Sequence, residues 1–211
     1  HTAHARKESR VIERVLALGY DETISAVMVK HHAEHHATKY SVALSNPLSE
    51  EMALLRASLV PGILDAIQWN VNRGQGNVRL FEVGKSYAKR DSKYAETAWL
   101  CLGTIGAREA DRVSVAGRGA DFYDLKGDVE QIAALFSRKN LTVDDRELPA
   151  HYRAGHAARL LADGEFVARF GQLTPAEGEQ RKFRQPVYLA EINLDALYHH
   201  ALKPPQVKPL S

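Results

Sequence analysis

The sequence has few of the features that define several large classes of protein. Cys101 is its single cysteine, which excludes an internal disulfide, a cysteine-based zinc site and a redox pair. Its apolar runs are short and fall well below the roughly 18 residues of a membrane-spanning helix. Lys and Arg total 28 against 26 Asp and Glu, a net charge of +2, so bulk charge does not indicate a nucleic-acid-binding protein. We therefore expect a cytoplasmic protein that does not associate with membranes.

The composition is that of a folded domain. Of the 211 residues, 45% are hydrophobic and 26% are charged, which provides enough apolar surface for a sizeable core. We predict one domain over residues 1–202 and a proline-containing linker over residues 203–211. The chain opens on His1 instead of methionine, so it is expected to be a piece of a longer protein, and missing targeting signals say little.

Hydrophobic periodicity predicts strands interrupted by helices. Apolar residues at helical spacing predict helices over Arg10–Leu18, from Ser58 to Gly74, from Asp121 onward and over Pro175–Lys182. Extended segments are predicted at Thr23–Val29, Asn77–Tyr87, Thr97–Ile105, Leu141–Arg146, Ala157–Leu161, Phe166–Leu173 and Val187–Asn193. The fold class that follows is α+β, with an antiparallel β-sheet flanked by helices.

Particular residues are expected to begin and end these elements. Ser49, Ser58 and Asp121 are predicted N-caps, because their side-chain oxygens can accept hydrogen bonds from the first amides of a helix. Asp163 and Gly164 predict a tight hairpin turn. The helix that begins near Asp121 carries an apolar stripe that we expect to be buried: Phe122, Leu125, Val129, Ile132 and Phe136.

A histidine cluster is the most conspicuous local motif. His31 and His35, like His32 and His36, are four residues apart, a spacing that could bind a metal on a helix. The metalloprotease motif, however, requires a glutamate directly after the first histidine, where Ala33 follows His32. We favour a solvated segment over a metal site, and the metal alternative stays open.

Motifs for nucleotide binding and nucleophilic catalysis are incomplete. Gly84-Lys85-Ser86 resembles the end of a phosphate-binding loop, but Arg79 occupies the position of the required first glycine. The pairs Gly74/Gly76 and Gly117/Gly119 lack the third glycine of a dinucleotide fingerprint, and no Gly-x-Ser-x-Gly motif occurs. We therefore assign no catalytic, cofactor-binding or metal-binding residue.

A series of short strings resembles one protein family in the same order along the chain. The strings are Asn46-Pro-Leu-Ser-Glu-Glu51, Leu55-Arg56-Ala-Ser58-Leu59-Val-Pro61-Gly62, Asn70-Val-Asn72-Arg73-Gly74, Arg79-Leu-Phe-Glu-Val-Gly84, Asp121-Phe-Tyr-Asp-Leu-Lys-Gly127, Gly155-His-Ala-Ala158, Asp163-Gly164 and Phe170-Gly-Gln-Leu173 with Pro175. Together they resemble the central segment of the bacterial phenylalanine-tRNA ligase β-subunit family, over most of residues 10–195. The sequence departs from the family at Arg153-Ala154 and at His156.

The resemblance implies a fold, a role and partners. The family's segment is similar to the catalytic domain of class II aminoacyl-tRNA synthetases, but it is regarded as a non-catalytic copy. The implied partners are the α subunit, in an α2β2 heterotetramer, and tRNA for the whole enzyme. ATP and magnesium are implied for the whole enzyme and not for this domain.

The sequence allows the non-catalytic interpretation to be examined. An active class II site needs an arginine on its second-motif strand and another that opens a glycine-preceded helix, because guanidinium groups bind ATP phosphates. Ala190–Leu197, near the C-terminus, contains neither glycine nor arginine. Arg79 lies on the candidate second-motif strand, but its spacing to Glu82 departs from the active pattern, and the two are interpreted as a possible buried structural pair.

Two other functions remain open. The chain could be an independent ATP-binding ligase domain, or it could bind tRNA directly through Arg108, Arg112 and Arg118 in an irregular loop. The Arg10–Leu18 helix resembles the first-motif helix, which lies at subunit interfaces in class II folds. We therefore expect its apolar side, with Val11 and Val15, to be covered partly by the α subunit or a second copy.

Overall fold

A large mixed sheet with helices on both faces forms most of the described chain. The computed structural model describes residues 3–30, 40–91, 93–107 and 118–204. The helices in these ranges are α1 (Ala3–Ala17), α2 (Val60–Val71), α3 (Phe122–Ala133), α4 (Pro175–Gln180) and α5 (Leu194–Tyr198), with a short 3-10 helix at Glu50–Met52. None of the helices described is long and apolar enough to cross a bilayer.

The strands form one sheet of seven and one of three. They are β1 (Asp21–Glu22), β2 (Met28–Val29), β3 (Val42–Ala43), β4 (Leu54–Leu55), β5 (Val78–Arg90), β6 (Lys93–Ile105), β7 (Leu141–Asp144), β8 (Tyr152–Ala162), β9 (Glu165–Leu173) and β10 (Val187–Asn193). The large sheet has the order β1-β5-β6-β10-β9-β8-β7, and the small sheet has the order β2-β4-β3. Strands β1 and β5 pair in parallel, and the other pairs are antiparallel. The predicted α+β class is confirmed.

Each face of the large sheet carries its own hydrophobic core. One core places side chains of α1, α3 and α5 against the sheet, among them Val11, Leu125, Leu197, Phe81 and Phe170. The other places α2 against the opposite face, through Ile63, Leu64 and Ile67. Helices α1, α3 and α5 therefore lie on one face of the large sheet, and α2 lies on the other.

The predicted start and core stripe of α3 are confirmed. The Asp121 carboxylate accepts a hydrogen bond from the Asp124 amide, and the Asp124 carboxylate accepts one from the Asp121 amide. Because both orphan amides are satisfied, the helix begins sharply at Phe122. Along the stripe, Leu125, Val129, Ile132 and Phe136 are buried, and Phe122 is partly buried against the same core.

Other predicted boundaries need correction. The strand predicted over Thr23–Val29 is wrong for most of its length, because only Met28–Val29 pairs with a neighbour, β4. The Ser49 side chain makes no capping hydrogen bond. Ser58 lies one residue before the N-cap of α2, Leu59, although its hydroxyl still accepts a hydrogen bond from the Val60 amide. These segments depend on contacts with β5 and β4, which local spacing does not reveal.

The turn between β8 and β9 forms as predicted. Asp163 and Gly164 have φ values of 52° and 83°, the left-handed conformation that a two-residue hairpin loop requires. The predicted histidine cluster, His31 to His36, lies outside the described residues.

The structure contradicts the expected exposure of α1. Val11 and Val15 have no solvent-exposed surface within this chain, because they pack in the core shared with α3. The prediction that the α subunit or a second copy covers Val11 and Val15 is therefore wrong, because residues of the same chain cover them.

Candidate functional site

The face of the sheet beneath α2 contains a buried ion pair next to its N-terminal end. Arg56 donates to the Glu82 carboxylate on β5, with a distance of 2.6 Å between Nη1 and Oε1. Ser25 donates to the other carboxylate oxygen at 2.6 Å and accepts from Arg56 at 2.9 Å. Arg56 also donates to the carbonyl of Lys85 at 2.9 Å. The three side chains therefore satisfy one another and join the segment before α2 to β5.

A second buried cluster is centred on Glu191 of β10. Arg169 of β9 donates two hydrogen bonds to its carboxylate, at 2.7 and 2.8 Å, and the Tyr152 hydroxyl donates a third at 3.1 Å. Ser58 donates to it from the segment before α2 at 3.4 Å. Nε2 of His151 lies 3.3 Å from Oε2 of Glu191 but is not aligned as a hydrogen bond. Glu191 thus links three strands and α2.

Electrostatics keep Glu191 ionised. Burial by itself would raise the pKa of the carboxyl, but the contacts with His151 and Arg169 outweigh burial and hold the pKa far below its ordinary value. Nearby, burial raises the pKa of the Cys101 thiol well above 9.0, and the Glu191 carboxylate adds to that rise. Cys101 is therefore a neutral core residue and not an activated nucleophile.

The space beside the Arg56–Glu82 pair is small. A cleft of about 160 Å³ opens beside Ser25, Arg56, Ser58 and Gly62. A drug-sized ligand typically occupies a pocket of about 300 to 1,000 Å³. The polar side chains beside this cleft, Ser25, Arg56 and Glu82, bind one another and so stabilise the fold.

Helix α2 packs very closely on the centre of this face. A Cβ atom added to Gly103 of β6 would lie 2.4 Å from Cγ2 of Ile63 and 2.9 Å from Cδ1 of Ile67. Real side-chain contacts do not occur at such distances, so glycine is required for the close approach of helix and strand. Apolar side chains of α2 therefore occupy the space above the central strands.

The expected Arg79–Glu82 pair is wrong. The two residues are three apart on one strand, so their side chains point to opposite faces of the sheet. Arg79 donates to Asp128 of α3 at 2.8 Å, and the Tyr20 hydroxyl donates to the same carboxylate at 2.8 Å. The Arg79 guanidinium is thus held on the α1 and α3 side, away from α2.

The other arginines singled out from the sequence are separated from the buried clusters. Arg118 donates to Asp124 at 2.7 Å and lies 3.3 Å from Asp121, so its charge is offset at the start of α3. Arg108 and Arg112 lie outside the described residues. After β10, Asn193 caps α5 by accepting from the Ala196 amide at 3.0 Å.

The sequence interpretation missed the cluster around Glu191 and the partner of Glu82. A signal was present, because Glu82, Arg169 and Glu191 each lie between two apolar residues of a predicted strand. A charged residue in the middle of a buried strand requires a partner, so these three positions could have been predicted to pair. Arg56 carried no such signal, since it lies in a short irregular segment.

A wider cleft lies at the other end of α2. Its volume is about 540 Å³, and it lies between the residues after α2 and the segment between α4 and β10. We call it the α2 C-terminal cleft. Its polar lining consists of Asn72, Gln75, Lys182, Arg184 and Gln185.

Exposed apolar side chains surround the small sheet. Leu48 is 90% exposed, and Val27, Met28 and Met52 are each about 40% exposed. Met28 belongs to β2, which contacts the 3-10 helix that ends at Met52. We call these four residues the small-sheet patch.

Comparisons with known proteins agree on a family and a fold. The family described as the phenylalanyl tRNA synthetase beta chain CLM domain matches residues 1–194. The chain is 32% identical over 211 residues to the phenylalanine–tRNA ligase beta subunit of Nitrosospira multiformis, covering 98% of this chain and 26% of that protein. It is also 32% identical over 209 residues to the corresponding subunit of Cupriavidus pinatubonensis, covering 93% and 25%. It spans about a quarter of the length of these relatives.

A solved structure shows the same fold at low sequence identity. PylSc, a pyrrolysyl tRNA synthetase of Desulfitobacterium hafniense, superposes with a TM-score of 0.68 at 14% identity, covering 92% of this chain and 66% of that chain. The α+β sheet is thus the class II synthetase type predicted from the resemblance. With the family match over residues 1–194, the chain belongs to the CLM-domain family of the phenylalanyl-tRNA synthetase β chain.

Proposed function

We propose that this chain is a non-catalytic structural and interaction domain of a phenylalanine-tRNA ligase β subunit. Its role is to support α2β2 assembly with the α subunit, for the ATP-dependent attachment of phenylalanine to its tRNA in the cytoplasm. Residues 1–202 form this domain, and residues 203–211 connect it to the rest of the subunit. The family membership and the coverage of about a quarter of each relative support this assignment.

The packing of α2 on the central strands is the observation that carries the non-catalytic role. The contact of Gly103 with Ile63 and Ile67 fills the middle of the sheet with apolar side chains. The charged groups beside it, Glu82 and Glu191, are already bound by arginines of the same chain. A ligand that requires arginine contacts would have to break these pairs, at the cost of leaving a buried charge unpaired.

ATP and magnesium belong to the whole enzyme in this proposal. Arg79, the arginine on the candidate second-motif strand, is engaged by Asp128, and α5 begins after Asn193 without an arginine at its start. Among the residues that the structure describes, no group of three or more His, Cys, Asp or Glu side chains could hold a metal. In this proposal the chain therefore contributes packing and surface, and the groups that bind the phosphates of ATP lie elsewhere in the enzyme.

The small-sheet patch is the surface that we propose for the α subunit. Its members are apolar and exposed at adjacent segments of the chain, a feature that is typical of interaction sites. It also replaces the predicted patch on α1, because Val11 and Val15 are already covered within the chain.

Two measurements test the proposal. Isothermal titration of the isolated chain with ATP and phenylalanine is expected to give no heat of binding, and measurable affinity would establish the alternative of an independent ATP-binding ligase domain.

Coexpression of the whole β subunit with the α subunit tests assembly. Leu48→Asp with Met52→Asp is expected to reduce copurification of α. Tyr123→Asp, which changes an exposed aromatic residue on α3, is the matched control. Equal recovery of α with both variants would remove this patch from the interface.

A further inference from the structure

The α2 C-terminal cleft collects positive charge that the rest of the described chain does not neutralise. Lys182 and Arg184 line it, and Arg73 lies on the turn of α2 beside it. Within the described ranges, none of these three cations forms an ion pair. By contrast, Arg181 next to them pairs with Asp65 at 2.5 Å.

The side chains around these cations are neutral hydrogen-bonding groups. Asn72, Gln75 and Gln185 contribute amides, and the lining contains no carboxylate. Amide and cationic groups together suit a ligand that offers negatively charged oxygen acceptors, because each can donate hydrogen bonds to them. A cleft of about 540 Å³ has room for one sugar-phosphate unit of a nucleic acid.

The last carbonyls of α2 bind the turn that follows the helix. Its last carbonyls accept hydrogen bonds from the turn itself, with Gln75 N to Asn70 O at 3.2 Å and Gly74 N to Val71 O at 3.0 Å. The Asn70 and Val71 carbonyls are therefore occupied by the turn and do not hold the side chains of Lys182 or Arg184.

Arg73 is held in place beside the cleft. Its guanidinium carbon lies 3.5 Å from the centroid of the Trp69 ring, and its Nη1 donates to the carbonyl of Trp69 at 3.1 Å. Stacking on an aromatic ring restricts the long side chain, so less conformational entropy is lost when Arg73 binds a ligand.

We propose that the α2 C-terminal cleft, with Arg73, Lys182 and Arg184, binds backbone phosphates of RNA, the tRNA of the ligase to which this family belongs. This contact adds to the assembly role and does not depend on it. Three cations that have no carboxylate partner among the described residues explain how a chain with a net charge of only +2 can bind RNA at one place.

The test measures tRNA binding by the complete ligase as a function of salt. The triple variant R73Q/K182Q/R184Q is expected to weaken tRNA binding about tenfold or more at 0.1 M salt. It should also reduce the slope of log K against log salt concentration by about 2 to 3, because each neutralised phosphate contributes about 0.7 to 0.9 to that slope. Amino-acid activation without tRNA should stay at the level of the unmodified enzyme. The variant R73K/R184K keeps both charges and is expected to retain the slope.

The matched control removes three cations elsewhere. K89Q/R90Q/K93Q changes the same net charge at the exposed end of the β5–β6 hairpin. Normal binding by this control together with a reduced slope for the cleft variant supports the proposal. An unchanged slope for the cleft variant, or an equal loss with the hairpin variant, overturns it. Loss of α2β2 assembly by the cleft variant would also overturn it, because the cleft would then bind an acidic segment of the α subunit.

Discussion

Arg79 on β5 and Asp128 on α3 form an ion pair, with 2.8 Å between Nη2 and Oδ2, that ties the sheet to the helix packed on it. The carboxylate is 1% exposed and also accepts from the Tyr20 hydroxyl. The Arg79 guanidinium lies over the Tyr20 ring, 4.2 Å from its centroid. Three distant parts of the sequence therefore meet at one carboxylate.

Replacing one partner of this pair should lower the free energy of unfolding more than replacing both. We expect Asp128→Leu to lower the free energy of unfolding by about 3 to 5 kcal/mol, because Arg79 would be left without its counter-ion in a largely buried position. The double variant R79L/D128L should recover part of that loss. Urea denaturation of the four chains in a double-mutant cycle measures the difference. A double variant that loses the sum of the two single losses would show that the ions act independently.

The buried stripe along α3 predicts a large loss of stability when one of its side chains is shortened. Leu125→Ala and Ile132→Ala should each destabilise the domain by about 2 to 5 kcal/mol, since each leaves a cavity beneath the helix. Gln131→Ala, on the exposed side of the same helix, should change stability by less than about 0.5 kcal/mol. Thermal or chemical melts provide the comparison. Equal stability of the three variants would contradict the buried stripe.

The close contact between β6 and α2 predicts an intolerance of any side chain at Gly103. Gly103→Ala should destabilise the domain by about 1 to 3 kcal/mol, because the new methyl group would overlap Ile63 and Ile67. Gly119→Ala is the control, since an added Cβ there has no atom within 4 Å. The double variant G103A/I63A should recover stability relative to G103A. If I63A instead adds its full cost to that of G103A, the overlap is not the cause.

The buried Glu191 carboxylate predicts a loss of stability in acid. Its pKa is lower in the folded state than the ordinary value of 4.5, so the unfolded chain takes up the proton first as the pH falls. The stabilisation is therefore complete above about pH 4.5 and declines progressively at lower pH. Denaturant titrations between pH 7 and pH 2 should show this decline.

The variant Glu191→Gln tests that assignment. It should cost about 3 to 5 kcal/mol near neutral pH, because Arg169 loses its counter-ion, and it should make the acid decline shallower. Asp144→Asn removes a carboxylate whose pKa is also lowered, mainly by the hydrogen bond from Arg159, but which lies at the surface. Its effect should be smaller. A Glu191→Gln profile parallel to that of the unmodified chain would assign the acid sensitivity to other carboxylates.

The regular elements were predictable where local chemistry decides the structure. The capping box at Asp121, the turn at Asp163 and Gly164, and strand β10 over Val187–Asn193 all follow from residues that are close in sequence. The β-branched residues of Thr23–Val29 predicted a strand, but only Met28 and Val29 pair with a neighbouring strand. There, the backbone instead bonds to Phe81 and Arg56 from irregular positions.

The candidate site was less predictable than the fold because its pairs join distant segments. Arg56 and Glu82 are 26 residues apart, and Arg169 and Glu191 are 22 apart, with the partner in each case on another element. Strand alternation did show that Arg79 and Glu82 face opposite sides, so the proposed pair between them could have been rejected from the sequence. The true partner of Arg79, Asp128, depends on how α3 lies over the sheet.

The position of β10 has a consequence for the order of folding. The last strand in sequence lies at the centre of the large sheet, between β6 and β9. During synthesis from the N-terminus, the β5–β6 hairpin and the β7–β8–β9 meander emerge first, and each exposes one edge to which β10 will later pair. The two halves can join only after Val187–Asn193 has left the ribosome. Until then, the nascent chain carries two open strand edges, and this interval is the one in which the domain is most vulnerable to aggregation.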